Sequence, residues 1–343
     1  MRQKLETAIL IRATVLFVKY QFPILPIGFA YGRILASLPI MEMHQLRYFV
    51  AVARTGNFTR AAEQCRVAQP SLSQQIRKLE EELGEKIILR LSGGKSRLTP
   101  AGELLLKRAN RILAEAQTAT EEIRERQEGI CGTVRMGAIP TIAPFLIPEA
   151  LLKFHEQHAD VELIVHEANT DQLLNLLEVN ELDFALISPP LPGGPWRLDS
   201  LGTEPLYLVA KDGSEVLNGS LPRLDELRQE DFILMRDGHC LTEQVVRFCQ
   251  MSDFRPRVRF MSAQVETLKE LIRAGAGISL LPAMALDNHR SEDSLRAIAI
   301  RDSSPNREIA FASLPDFPVT RAAKEFQATV KRVFDQKNQE LTR

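Results

Sequence analysis

The sequence has 343 residues, 45% hydrophobic and 25% charged, with 43 Lys and Arg against 44 Asp and Glu for a net charge of -1. A chain this long and this apolar can bury more than one core, which excludes a disordered polypeptide and sets an expectation of two or three domains. Four cysteines are too few for a disulfide scaffold, and near-neutrality argues against a uniformly basic nucleic-acid binder.

The neutrality is a cancellation. Residues 1–43 carry five basic and two acidic side chains, residues 44–99 carry ten basic and five acidic, and the remainder is acidic by nine. A small basic head on a larger acidic body is the asymmetry of a nucleic-acid-binding module joined to a second function. The first forty residues are rich in Ile, Leu, Phe and Tyr but are interrupted by Arg12, Lys19 and Arg33. The uncharged run from Tyr20 to Gly32 contains Pro23, Pro26 and Gly28 and falls short of the roughly 20 residues that a membrane span needs. The segment also lacks the order of a signal peptide. It reads as an extension from an upstream start codon, with translation expected to begin at Met41 or Met43. A membrane anchor is the alternative.

From His44 the pattern is helical: Leu46, Phe49, Val50 and Ala53 form one apolar stripe, and Gly56 ends it. Asn57 is placed to cap a second helix, Phe58 to Cys65. Pro70 then suits the first turn of a third helix, which closes at Gly84. Two helices, a tight turn and a third helix dense in Ser, Gln and Arg suggest a helix-turn-helix. On the third helix Leu72, Ile76, Leu79 and Leu83 face inward, while Gln69, Pro70, Ser71, Ser73, Gln74 and Arg77 are candidates for the DNA surface. Gln can bond adenine through two hydrogen bonds, and Arg77 can reach phosphate or guanine. Two short strands around Gly93-Gly94 would form a wing whose Arg90, Lys95 and Arg97 meet the phosphate backbone.

Thr99 and Pro100 open a long helix that runs to about Gln127, with Leu104, Leu105, Ala109, Ile112, Leu113, Ala116 and Ile123 along one stripe. One long apolar stripe beside a small domain calls for a partner, so it reads as a dimerisation helix. Gly129 and Gly132 form a hinge after it. Beyond the hinge, strands expected at Thr133–Ala138, Val161–His166, Phe184–Ile187, Leu206–Ala210 and Phe232–Met235 alternate with helical patterns near 144–157, 171–179, 242–251, 265–274 and 320–335. This predicts an α/β body with a largely parallel sheet and two subdomains flanking a cleft.

The residues Ala61-Ala62, the run Gln69-Pro70-Ser71-Leu72-Ser73-Gln74-Gln75-Ile76-Arg77-Lys78-Leu79-Glu80, Leu83-Gly84 and Leu98-Thr99-Pro100-Ala101-Gly102 resemble the LysR-type transcriptional regulators. The resemblance covers residues 44–340. It implies an α/β fold class with an N-terminal winged helix-turn-helix and a long linker helix, then a two-lobed effector domain like a periplasmic binding protein. The implied divisions are 44–99 for the DNA-binding domain, 100–133 for linker helix and hinge, and 134–343 for the effector domain. One lobe would take 134–206 plus 306–343, and the other 207–305. The resemblance further implies double-stranded promoter DNA and RNA polymerase as partners, a homo-oligomer built as a dimer of dimers, a cytoplasmic location, no membrane, no cofactor and no enzymatic activity.

Within that family, Gly137-Ala138-Ile139-Pro140-Thr141, His166-Glu167-Ala168-Asn169-Thr170 and above all Asp237-Gly238-His239-Cys240-Leu241, with Phe248-Cys249, are similar to the hydrogen-peroxide-sensing activators. That narrower resemblance implies oxidation of Cys240 by hydrogen peroxide and its resolution by Cys249 as a disulfide. It assigns Thr141, Thr170, His239 and Glu243 to peroxide binding and activation. Where it leads to Arg-Asp, this chain has Thr242-Glu243, which removes a cation beside the thiol.

Physical chemistry bears on the same residues. A thiolate is the reactive form, and a helix N-terminus or nearby cations (His239, Arg236, Arg247) favour it. If the chain between Cys240 and Cys249 is helical, the two lie about 13 Å apart along the axis and half a turn out of phase, so a disulfide requires remodelling of the backbone. Thr141 and Thr170 follow strands and precede helices, so capping is an alternative role. Cys65 is expected in the core of its helix, and Cys131 as an exposed thiol in the hinge. His239, Cys240 and Cys249 offer too few ligands for a structural zinc. Two other readings stay open: a regulator that responds to a small metabolite between the lobes, and a thiol peroxidase using His239 and Cys240.

Overall fold

The computed structural model describes residues 41–341 apart from 219, 220, 237, 287–293, 316 and 318, so the expectations for the N-terminal extension and for Asp237 lie outside the described residues. The chain divides between Ser96 and Arg97 into two compact units.

In the first unit, α1 (Met43–Thr55) stops at Gly56, whose φ of 61° suits glycine. Asn57 Oδ1 accepts from the amides of Thr59 and Arg60 at 2.8 and 3.1 Å and starts α2 (Phe58–Gln64). Pro70 sits in the first turn of α3 (Gln69–Leu83), which ends at Gly84. Leu46, Phe49, Ala61, Leu72, Ile76 and Leu79 are buried together as the core of this unit. A buried carboxylate, Glu80, accepts from the amides of Ile87 and Ile88 at 3.1 and 3.3 Å. That fixes the approach to β1 (Ile88–Arg90), which forms a ribbon with β2 (Ser96–Leu98). Cys65 is half-buried and not a core residue, because α2 ends at Gln64 and Cys65 is its C-cap.

In the second unit, Thr99 Oγ1 accepts from Gly102 N at 3.0 Å and caps α4 (Pro100–Glu128), a helix about 43 Å long. Leu104, Ile112 and Ile123 are exposed on it. Gly129 and Gly132 both adopt positive φ as the chain turns into β3 (Gly132–Ala138). Cys131, expected as an exposed thiol, is buried, because the turn leads directly into β3 and brings its side chain inward.

The order continues α5 (Ala143–Gln157), β4 (Val161–Glu167), α6 (Thr170–Glu178), β5 (Phe184–Ile187), β6 (Arg197–Lys211), β7 (Asp231–Met235), α7 (Cys240–Gln250), β8 (Arg257–Ser262), α8 (Val265–Arg273), β9 (Ser279–Pro282), β10 (Leu295–Ile298), β11 (Asn306–Ser313) and α9 (Arg321–Leu341). The main sheet has the order β10-β6-β11-β5-β3-β4, with β9 also on β6, and β7-β8 form a separate pair.

The expectation of a largely parallel sheet is corrected here. β3 pairs parallel with β4 and β5, and β7 with β8, but β6 pairs antiparallel with β9, β10 and β11, and β11 antiparallel with β5. The physical reason is that the chain leaves the first lobe along β6 and returns along β11, so the two crossing strands run in opposite directions.

Two hydrophobic cores define the lobes. The first gathers residues such as Val134, Phe154, Phe184, Phe311 and Phe326, with Phe154 edge-on to Phe326 and Phe184 edge-on to Phe311. The second gathers Phe232, Leu234, Val245, Leu268, Ile272 and Leu280.

Candidate functional site

Helix α7 lies between the two cores. Leu241, Val245 and Cys249 recur at helical spacing and pack into the second. Cys240, the first residue of the helix, points the other way and is buried in the first core. Their half-turn offset therefore puts the two thiols in different lobes, and both are free. Three contacts hold the first turns of α7. Thr242 Oγ1 donates to Met235 O at 2.7 Å, and Gln244 Nε2 donates to Ser188 Oγ at 2.8 Å and to Pro189 O at 3.1 Å.

The groups around Cys240 come from distant parts of the chain. Burial pushes its thiol above the ordinary cysteine range, the reverse of the shift that its helix position suggested. The positive charge of Arg307, the Thr170 hydroxyl and the Leu241 amide oppose that rise, while Glu243 adds to it. His239 is the N-cap residue of α7. Burial and the charge of Arg236 depress its pKa, so at neutral pH it is an uncharged neighbour and not the expected cation. Arg247 sits in the last turn of α7, at the far end from Cys240. Glu243 is exposed on the first turn. Cys249 is fully buried, and desolvation pushes its thiol up to about 12.

Arg307 organises the site and was not anticipated. Its side chain is fully buried on β11. Nε donates to Glu204 Oε2 at 2.9 Å, Nη1 to Thr141 Oγ1 at 2.7 Å, and Nη2 to Thr141 O at 3.0 Å. Glu204 is also fully buried, and its Oε1 accepts from Met284 N at 2.6 Å. A buried charge pair persists where hydrogen bonds offset the desolvation of both ions, and here every guanidinium nitrogen and both carboxylate oxygens have a partner. Its sequence signal is a lone Arg opening an apolar run, with a partner 103 residues away.

Neither threonine caps its helix. Ile142 is the N-cap residue of α5, and Thr141 Oγ1 accepts from Arg307. Asn169 caps α6 by accepting from Gln172 N at 2.9 Å, while Thr170 Oγ1 is buried beside the thiol without a hydrogen bond of full geometry.

On the basic head, Pro70, Ser71, Gln74 and Arg77 are exposed along one face of α3, and Gln69 is half-buried. Lys95 and Arg97 are exposed on and beside the wing. Ser73 is a correction. It is 2% exposed, and its Oγ accepts from Arg90 Nη2 at 2.6 Å, so it faces inward and cannot reach a base edge. Arg90 also stacks 4.2 Å over the Phe58 ring, which fixes the direction of its guanidinium.

A basic helix-turn-helix head followed by a two-lobed α/β domain with a buried polar site defines a class: a ligand- or signal-responsive DNA-binding regulator. Residues 43–103 match the family model for bacterial regulatory helix-turn-helix proteins of the lysR family, and residues 127–335 match that for the LysR substrate binding domain. The chain belongs to the LysR family of transcriptional regulators, a family of DNA-binding proteins and not of enzymes. It is 33% identical over 291 residues to a hydrogen peroxide-inducible genes activator of Pectobacterium carotovorum subsp. carotovorum, which covers 85% of this chain and 96% of that one. Among solved structures, full-length OxyR of Pseudomonas aeruginosa, in a variant form, is similar with a TM-score of 0.71 at 29% identity, covering 84% of this chain and 94% of that one. A hydrogen-peroxide-bound OxyR variant of Corynebacterium glutamicum is similar with a TM-score of 0.59 at 28% identity, covering 88% and 96%.

Proposed function

We propose that this regulator senses hydrogen peroxide through Cys240 and Cys249 and converts the oxidation into a change in promoter binding. The observation that carries the reading is the position of the two thiols at opposite ends of one helix, each in a different core. The names of the relatives, one peroxide-inducible and one peroxide-bound, support the same reading.

In the first step the Cys240 thiol gives up its proton, the thiolate sulfur attacks one oxygen of peroxide, the O–O bond breaks, and the departing hydroxide takes up that proton and leaves as water, giving a sulfenic acid. In this reading Thr141, Thr170 and His239 supply polar contacts for peroxide, while Glu243 on the outer face of the first turn disfavours the thiolate. Arg307 offsets the negative charge as the thiolate forms, which matters at a thiol that burial otherwise keeps protonated. In the second step Cys249 sulfur displaces hydroxide from the sulfenic sulfur, a second water forms, and the two sulfurs are joined. Cα atoms in a disulfide lie roughly 4.4–6.8 Å apart. Nine residues of intact helix hold these about 13 Å apart, so the second step unwinds α7 and withdraws a side chain from one core.

In this reading Gln74 and Arg77, with Gln69, Pro70 and Ser71, address the major groove, and Arg90, Lys95 and Arg97 meet phosphates. Leu104, Ile112 and Ile123 on α4 meet a second copy of the chain, the first step towards a dimer of dimers. No described helix is long and apolar enough to cross a membrane. In this reading, which rests on the family, the protein acts on promoter DNA in the cytoplasm with RNA polymerase as its partner.

The test is promoter-DNA binding by reduced and peroxide-treated protein, with Cys240→Ser as control and peptide mass spectrometry across residues 236–257. The expected result is a disulfide between Cys240 and Cys249 and a changed footprint, both lost in the variant. A peroxide response that survives Cys240→Ser overturns the reading. A response to metabolites without thiol oxidation would favour a small ligand between the lobes.

A further inference from the structure

Cys240 and Gln244 are one helical turn apart and share the face of α7 that meets the first lobe. Gln244 Nε2 places one donor on Ser188 Oγ and the other on Pro189 O, at the end of β5. Ser188 is fully buried and sends its own proton to Glu308 O at 2.6 Å. The chain of hydrogen bonds thus runs from α7 through Ser188 to β11, ending one residue from Arg307. From these contacts we propose that Ser188 is a positioning residue, a latch that holds α7 helical and docked on the first lobe while both cysteines are thiols.

The latch rests on the redox reading for its purpose. Joining Cys240 to Cys249 requires the turns between them to unwind, and Gln244 lies within those turns. It must therefore leave Ser188 before the Cys249 sulfur can displace hydroxide from the Cys240 sulfenic acid. Ser188 is bonded to Gln244 and Glu308 O, so its hydroxyl governs the closure step and not the attack on peroxide. Both donors of Gln244 are used: an alanine at 188 removes the closer of the two acceptors, leaves Pro189 O as the other, and keeps the packing volume nearly unchanged, whereas Gln244→Met removes both bonds.

The experiment uses the full chain with Ser188→Ala, and Gln244→Met as a second variant that keeps length and removes the donors. In reduced protein, backbone amides of α7 should exchange with deuterium at least tenfold faster than in the parent, with α9 unchanged within twofold. After peroxide, dimedone-trapped sulfenic acid at Cys240 in Ser188→Ala should form within twofold of the parental rate, while disulfide closure runs at least fivefold faster. Unchanged exchange in α7, equal acceleration in α9, or equal closure rates would each overturn the latch. Faster α7 exchange with no disulfide in either protein would sink the redox reading while upholding the latch as the contact that docks α7.

Discussion

Cys240 and Cys249 are the two ends of one helix, and the helix inserts one into each lobe's core. Neither sulfur is poised as a free thiolate: burial raises both, Cys249 to about 12. With its pKa above the ordinary cysteine value, the Cys240 thiolate fraction should rise about tenfold per pH unit through neutrality. The rate of modification of Cys240 by peroxide or iodoacetamide, followed by quenched mass spectrometry, should rise in that proportion between pH 6.5 and 8.5. A rate already flat above pH 7 would mean a low-pKa thiol and contradict the assignment.

The Arg307–Glu204 pair gives a second expectation. Removing only the cation, as in Arg307→Met, leaves Glu204 buried without its countercharge and should cost about 3–5 kcal/mol in urea unfolding. Pairing it with Glu204→Gln should recover more than half of that loss. Equal destabilisation in the single and double variants would show that the guanidinium acts by packing and not by charge.

Asp183 offers a pH dependence of opposite sign from that of an ordinary surface acid. Burial lifts its carboxyl to about 6; the Arg135 amide, at 2.7 Å, and the Arg135 charge oppose the rise, and Glu121 adds to it. Because the folded value lies above the unfolded one, the folded state holds the extra proton. Asp183 therefore costs nothing at low pH, and stability falls as pH rises towards and through 6. Asp183→Asn should raise stability by on the order of 1–3 kcal/mol at pH 7.5 and by progressively less towards pH 4.5. Urea midpoints at the two pH values check this, and a gain that is larger at the acid end would contradict it.

On the DNA-binding head, the exposed Gln74 and Arg77 and the buried Ser73 should separate cleanly. Gln74→Ala should relax preference at one base position by about 1–3 kcal/mol. If Arg77 meets phosphate, Arg77→Ala should weaken binding to all sequences and reduce the salt slope by about one. Ser73→Ala should leave base preference intact and act only through the freed Arg90. Binding to a randomised operator pool at two salt concentrations distinguishes the three, and a changed base preference in Ser73→Ala would refute its inward placement.

The helical head was readable from local signals: Asn57 as a cap, Pro70 in a first turn and Gly84 as a stop are short-range chemistry, and each sits where its sequence context placed it. The half-turn phase between the cysteines was readable for the same reason. Ser73 misled because α3 turns it towards Arg90, a partner 17 residues away. The surroundings of Cys240 were read with the wrong sign, since desolvation depends on what packs over a group and not on its neighbours in sequence. Arg307, Glu204 and Ser188 carry no local signature, because each takes its role from residues more than 50 positions away. β8 escaped notice as a strand because it is largely exposed and alternates Arg257 and Arg259 with apolar residues.

One strand sets what the two lobes can do to each other. Residues Arg197–Pro205 of β6 pair with β11, and Leu206–Lys211 with β9 and β10, so a single unbroken ribbon belongs to both lobes. Its register slips where Ile309 and Ala310 oppose Gly202 and Ser200, a bulge within the stretch paired to β11. The lobes are therefore not beads on a tether. Turning one lobe against the other has to twist a strand that is hydrogen-bonded on both sides of the crossing.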